Sequence, residues 1–352
     1  RGGAVRSVRY SIVCAPGGGT SPQEETLWEP KPYKRLKPGK MIQERFVVEL
    51  EMTISDKSHL SLTADAIKQR ACLDVRTFHN AKKGDDYTRG WKIVPNCDDD
   101  HLADNDEYAL VSRQLKGGEG LNELNKVVCG AKNGTGMRFN KRNFIVSVNV
   151  SSYSFAAIKK VCQVFTKFEA VMDSIMPPHA RGDGNSYCRS IARALAGDTN
   201  KERHETIDAA RSFADLRRLM NPHYPDAFYK LTLPDGKGGE EEMTFIEFRQ
   251  HQATLDYEKM GNWVRFCVSL TKNASRLREV RPLKDNTRFD NQFSILFDYV
   301  IRDRGLRDYY LERRETFREV KKRLANGSQR VGNGGQRQKK KQRNDGHDRS
   351  RD

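Results

Sequence analysis

Residues 45–53 set Phe46, Val48, Leu50 and Met52 on one side of a two-residue period, with Val47, Glu49, Glu51 and Thr53 on the other. A chain carrying that pattern has to build a sheet, because only an extended strand separates those two sets. One face of the sheet is packed, and the other holds two carboxylates in the strand interior. Carboxylates that close repel each other unless a cation or solvent attends them. Two readings stay open on this pattern: a sheet with one wet face, or paired oxygen ligands for a hard divalent cation.

The remaining patterns say what packs on that sheet. Ile158, Val161, Phe165, Phe168, Met172 and Ile175 recur at intervals of three and four, which predicts a long helix. Ser154 is its expected N-cap, and Pro177-Pro178 its expected stop. Further helices are expected over 256–272, near 290–303, and as a charge-laced segment over 306–324. Strands are expected over 144–150, 227–233 and 243–249, the last two forming a hairpin through the turn-rich loop 234–239. On its second arm Glu247 and Arg249 share one face, Ile246 and Phe248 the other. Strands and helices in mixed order, without regular β-α-β alternation, point to an α+β fold on an antiparallel sheet.

Charge divides the chain into three parts. The 352 residues hold 63 Lys+Arg against 47 Asp+Glu, a net +16. Residues 1–43 and 326–352 each contain eight Lys/Arg and three acids, so ten of those charges sit at the ends. Both ends are rich in Gly or Pro and poor in apolar residues, a composition that cannot offset ordering entropy. We therefore expect an extended basic arm over 1–43, a folded domain over 44–325 and a flexible basic tail over 326–352. Such ends suit an acidic protein surface or RNA, or serve only as solvating tails. The tail has no aromatic residue, so base stacking by it is not supported. No apolar run approaches the ~20 residues of a membrane span. Seven scattered cysteines without C-x-x-C argue against a zinc ribbon, an iron–sulfur site or a disulfide scaffold. A reducing, cytoplasmic setting is the expectation. Gly17-Gly18-Gly19 lacks the Gly-Lys-Ser/Thr of a phosphate loop.

Six segments then occur in order: RFVVELEMT (45–53), WKIVPN (91–96), YALVS (108–112), Pro177-Pro178 with NSYCR (185–189), TFIEFRQHQAT (244–254) and NWVRFC (262–267). Together they resemble the amidoligase family, relatives of glutamine synthetase and γ-glutamylcysteine synthetase common in fungi and bacteria. LFDYV (296–300) and GLRDYY (305–310) resemble the same family's last helices. The resemblance implies a glutamine synthetase-like half-barrel of antiparallel strands packed with long helices. It also implies an ATP- and Mg²⁺-dependent ligase that joins a carboxylate to an amine through an acyl phosphate. Carried over by motif, Glu49, Glu51 and Glu247 correspond to metal ligands and Arg249 to a phosphate-facing catalytic group. Asn185 and Arg189 correspond to weaker candidates for nucleotide or substrate contact.

The departures from the family pattern are as informative. Ala109 stands where the family has a Glu, with Arg113 in place of the following Pro, and Asn96 replaces an acidic residue. Ser147 and Asn149 stand at the positions of a His-x-His pair, and no histidine occurs between His101 and His179. Losing one oriented charge-stabilising group commonly costs ~10²–10³ in rate. Asp98, Asp99, Asp100 or Glu107 are substitute carboxylates that could compensate. The expectation is an amidoligase-fold protein with a decayed site and no cofactor, gripping a protein partner through its basic ends. The alternatives are a working ligase using ATP and Mg²⁺, or an RNA-binding protein.

Overall fold

The computed structural model describes residues 44–77, 90–96, 106–133, 136–139, 142–177, 188–234, 243–284 and 286–319. All of them belong to one compact unit. The expected arm and tail, Asn185, Asp98, Asp99, Asp100, Pro178, the loop 235–239 and residues 320–324 lie outside the described residues.

The amphipathic segment with which the chain's pattern begins is the long strand β1 (Arg45–Ile54). It pairs antiparallel with β4 (Glu107–Val111) on one side and β7 (Asn143–Asn149) on the other. Outward from β4 comes β3 (Trp91–Pro95), then β2 (Val75–Thr77); outward from β7 comes β9 (Phe245–Gln252), then β8 (Leu231–Thr232). Two short strands, β5 (Leu115–Lys116) and β6 (Met137–Arg138), extend the ends of β1. Every pair is antiparallel except β2 with β3. The expected antiparallel sheet is therefore present, with one parallel edge, and β8 and β9 are neighbours as the hairpin pattern requires.

The even-numbered face of β1 forms the core. Phe46, Val48, Leu50, Met52 and Ile54 pack with the apolar sides of α2 (Gly117–Ala131), α3 (Phe155–Ser174) and α7 (Tyr257–Ser275). Phe248 of β9 sits between Phe165 of α3 at 6.0 Å and Trp263 of α7 at 6.4 Å. Those three aromatics tie the helical layer to the sheet. Ser154 caps α3 as expected, its Oγ accepting from the Ala157 N–H at 3.3 Å. The helix ends at Ser174, two residues before Met176, because a residue ahead of proline disfavours the helical conformation.

Helices without a clean apolar stripe escape a pattern search. The buried residues of α1 (Ser58–Ala71) are small or mixed, namely Leu60, Thr63, Ala64, Ile67 and Ala71. The short helices α4 (Ile191–Ala194), α5 (Asn200–Ala209) and α6 (Phe213–Met220) bury only two or three side chains each or fewer. The expected helix near 290–303 is α8 (Phe289–Ile295), continued by a π-helical turn over Leu296–Ile301. A last helix, α9, covers 304–319 of the charge-laced segment.

Candidate functional site

Side chains on paired residues of adjacent strands point to the same face, so the register places the expected residues directly. Glu51 stands opposite Ala109, and Glu49 stands between Val111 and Ile145. Val47 is opposite Ser147, which is opposite Glu247 in turn. Asn149 faces Phe245, and Val94 faces Ala109. Two residues along their strands from Val94 and Glu247 come Asn96 and Arg249. The face opposite the core thus collects Glu49, Glu51, Glu247, Arg249, Asn96, Ala109, Ser147 and Asn149. These residues are brought together from positions up to 200 apart.

At the centre of that face lies a guanidinium. Arg249 is 6% exposed; its Nη1 donates to Glu247 Oε2 at 3.0 Å and its Nη2 to Glu51 Oε1 at 3.4 Å. The second oxygen of Glu51 accepts the Asn143 backbone N–H at 3.0 Å. The guanidinium carbon stands 4.1 Å from the centre of the Phe228 ring. Burial alone would lower the Arg249 pKa, but the charges of Glu247, Glu51 and Glu49 outweigh it and hold the group above its ordinary value. A β-bulge lies beside it. Val146 faces Phe248 while Phe144 faces His251, so β9 carries one more residue than β7 there. Glu107, the other expected compensating carboxylate among the described residues, forms an ion pair with Arg142. Arg142 also reaches Thr53 Oγ1 at 3.4 Å.

Ala109 is fully buried in a small apolar patch with Val47, Val94 and Val111, against which Phe245 packs. A methyl group therefore fills space where the resemblance implies a carboxylate. The side chain of Asn149 turns to Ser151, accepting from its N–H at 3.2 Å and its Oγ at 2.8 Å. Asn96 Oδ1 is buried without a hydrogen-bond partner. Arg189 is held by its backbone, donating to the Phe228 carbonyl and accepting from the Lys230 N–H, both at 3.0 Å. It forms no ion pair with the carboxylates of the face.

A second charge cluster lies outside any family motif. Lys230, 2% exposed, places Nζ 2.8 Å from Glu169 Oε1 and 2.7 Å from Asp173 Oδ2, both on α3. Burial would lower the Lys230 pKa, but Glu169 and Asp173 outweigh it and raise it. The sequence signal for this cluster is two acids four residues apart, Glu169 and Asp173, in the amphipathic helix α3. Cys188 and His251 do not form a catalytic pair. Burial pushes the Cys188 thiol up to about 12, and His251 lies in the core beside Trp263. The proton of His251 is on Nδ1, since it faces the Gln252 carbonyl oxygen at 2.7 Å, which can only accept.

The family model described as "putative amidoligase enzyme" matches residues 43–271. The chain belongs to that amidoligase family. The match begins at β1 and ends within α7, so it spans the whole sheet and the helices packed on it. A search among curated proteins found no match. No helix among the described residues is long and apolar enough to cross a membrane.

As placed, the Glu51 and Glu247 carboxylates are turned to the Arg249 guanidinium and are not arranged around a divalent-cation position. Mg²⁺ takes six oxygens at 2.0–2.1 Å in near-ideal octahedral geometry. Among the described residues, no three His, Cys, Asp or Glu side chains are grouped to hold a metal ion. Glu51 is committed through both oxygens, and Glu247 shares the same guanidinium with it.

Proposed function

We propose that this chain is a non-catalytic member of the amidoligase family, acting as a binding or structural component. The observation that carries the reading is the buried Arg249 guanidinium spanning Glu51 and Glu247. It neutralises the two carboxylates that a metal-dependent ligase of this fold would present to cations. The methyl of Ala109, where the family has a carboxylate, supports the same reading. In this proposal the sheet is of the glutamine synthetase-like type and residues 44–325 form the domain. The basic ends, 1–43 and 326–352, grip an acidic protein surface, with RNA as the second candidate.

One observation favours a working ATP- and Mg²⁺-dependent ligase instead. Glu49, Glu51, Glu247 and Arg249, the residues such an enzyme would use, still stand on one face. Titration calorimetry of the full chain with Mg·ATP separates the two readings. The non-catalytic reading expects no saturable heat up to about 1 mM, an affinity weaker than about −4 kcal/mol. Micromolar binding that Glu51→Gln abolishes, together with phosphate release in the presence of amino acids and amines, would establish the ligase.

A further inference from the structure

Beside α3 lies a polar cavity of about 420 Å³. Its floor is the Lys230–Glu169–Asp173 cluster, and its walls come from Lys167 on α3 and from Asn200 and Arg203 in the first turn of α5. Arg193 and Lys284 stand exposed at its mouth. The cavity is separate from the carboxylate face, although the two abut: the Arg249 N–H donates to the Lys230 carbonyl at 3.0 Å.

The charge of this cavity is unbalanced. Its two carboxylates are both spent within the fold. Besides Lys230, Glu169 accepts the Ala192 N–H at 2.8 Å, and Asp173 accepts Gln250 Nε2 at 3.0 Å. No carboxylate among the described residues forms an ion pair with Lys167, Arg203 or Lys284. Lys167 Nζ is anchored on the Arg281 carbonyl at 2.7 Å, and burial lowers its pKa, a cost that a neighbouring anion would relieve. Arg203 Nε is buried with no hydrogen-bond partner. An orphaned donor of this kind is costly, and turning the guanidinium onto a ligand oxygen would satisfy it.

We propose that this cavity is a binding site for a compact polyanion of the oligophosphate class, held by Lys167, Arg203 and Lys284. Several cations converging from separate elements suit a ligand with many oxygens spread around more than one centre. Among the described residues no aromatic side chain lines the cavity, so they offer nothing on which a nucleobase would stack. That favours the anion alone over a nucleotide or an RNA strand. At the start of α5 a capping box already uses the Thr199 and Glu202 amides, and Glu202 also accepts the Asp198 N–H, so the proposed affinity is assigned to the side chains.

Thermal unfolding of the full chain with added tripolyphosphate is the test. A ligand of the folded body raises the unfolding midpoint, whereas one held only by the basic ends leaves it unchanged. The midpoint should rise, saturate, and shift less as salt screens the contact. Arg203→Gln and Lys284→Gln should each weaken the apparent affinity about tenfold. Lys284 is exposed, so its variant folds even if Arg203→Gln does not. The site is refuted by no rise, by an equal rise with sulfate at matched ionic strength, or by an undiminished rise in the variants. A rise with a short RNA but none with tripolyphosphate refutes it equally.

Discussion

Arg249 owes its position to a chain of local constraints. Strand alternation in β9 puts it on the same side as Glu247, and the Phe228 ring centre lies 4.1 Å from its guanidinium carbon. Burying a guanidinium is expensive, and it is tolerated here because carboxylates flank it on two strands. The converse also holds, since Glu51 at 4% exposure depends on Arg249 for its charge balance. Removing one partner of a buried pair typically costs about 3–5 kcal/mol, because the other charge is left uncompensated. Arg249→Met should destabilise the fold by about that amount in denaturant unfolding, and adding Glu51→Gln should restore a large part. Equal stability of Arg249→Met and the parent would mean that the guanidinium balances nothing. The alternation of β1 announces that Glu49 and Glu51 share a face, and that of β9 does the same for Glu247 and Arg249. That Arg249 closes on Glu51, 198 residues away, is a matter of strand order, which alternation does not carry.

Among the elements, α1 and α2 show what a pattern search misses. They approach so closely that a Cβ added to Gly130 would lie 2.7 Å from the Ile67 Cα. The glycine is there for contact and not for a turn, because its φ is helical. In an isolated helix Gly→Ala would gain about 1 kcal/mol. Here the obstacle is backbone, which cannot rotate away, so Gly130→Ala should lower stability by about 1–3 kcal/mol despite the better propensity. Calorimetric unfolding decides the matter, and a stabilised variant would show that the two helices separate freely. By contrast α3 is legible from its sequence because its stripe is wide, large and uninterrupted, with Ser154 marking its start. Its buried Glu169 is the exception, and only the arrival of Lys230 from the far side of the chain explains it.

For the molecule as a whole, the buried histidines tie stability to pH. His251 is enclosed by Phe144 and Trp263, with Arg313 and Lys259 facing it and Asp256 opposing them. Burial, reinforced by those two cations, pushes its pKa down to about 3 from an ordinary value of 6.5. The unfolded chain therefore binds a proton below 6.5 that the native fold refuses. The His251 contribution is fully present above that pH and is lost as pH falls toward 3. Between pH 6 and pH 5 the loss should be about 1 kcal/mol, and His251→Phe should flatten that part of the stability curve. An unchanged slope would assign the acid sensitivity elsewhere. His204, whose pKa burial also lowers, should leave a residual slope. Periodicity alone settles that this chain forms an amphipathic β1, a long α3 and a β8–β9 hairpin, because each is a property of neighbouring residues. Motif order settles the family. Only the tertiary structure decides that Arg249 meets Glu51 and that Lys230 meets Glu169 and Asp173. Charges that distant in sequence are joined by the order in which strands pair and helices dock, and the low dielectric around them makes their exact partners matter.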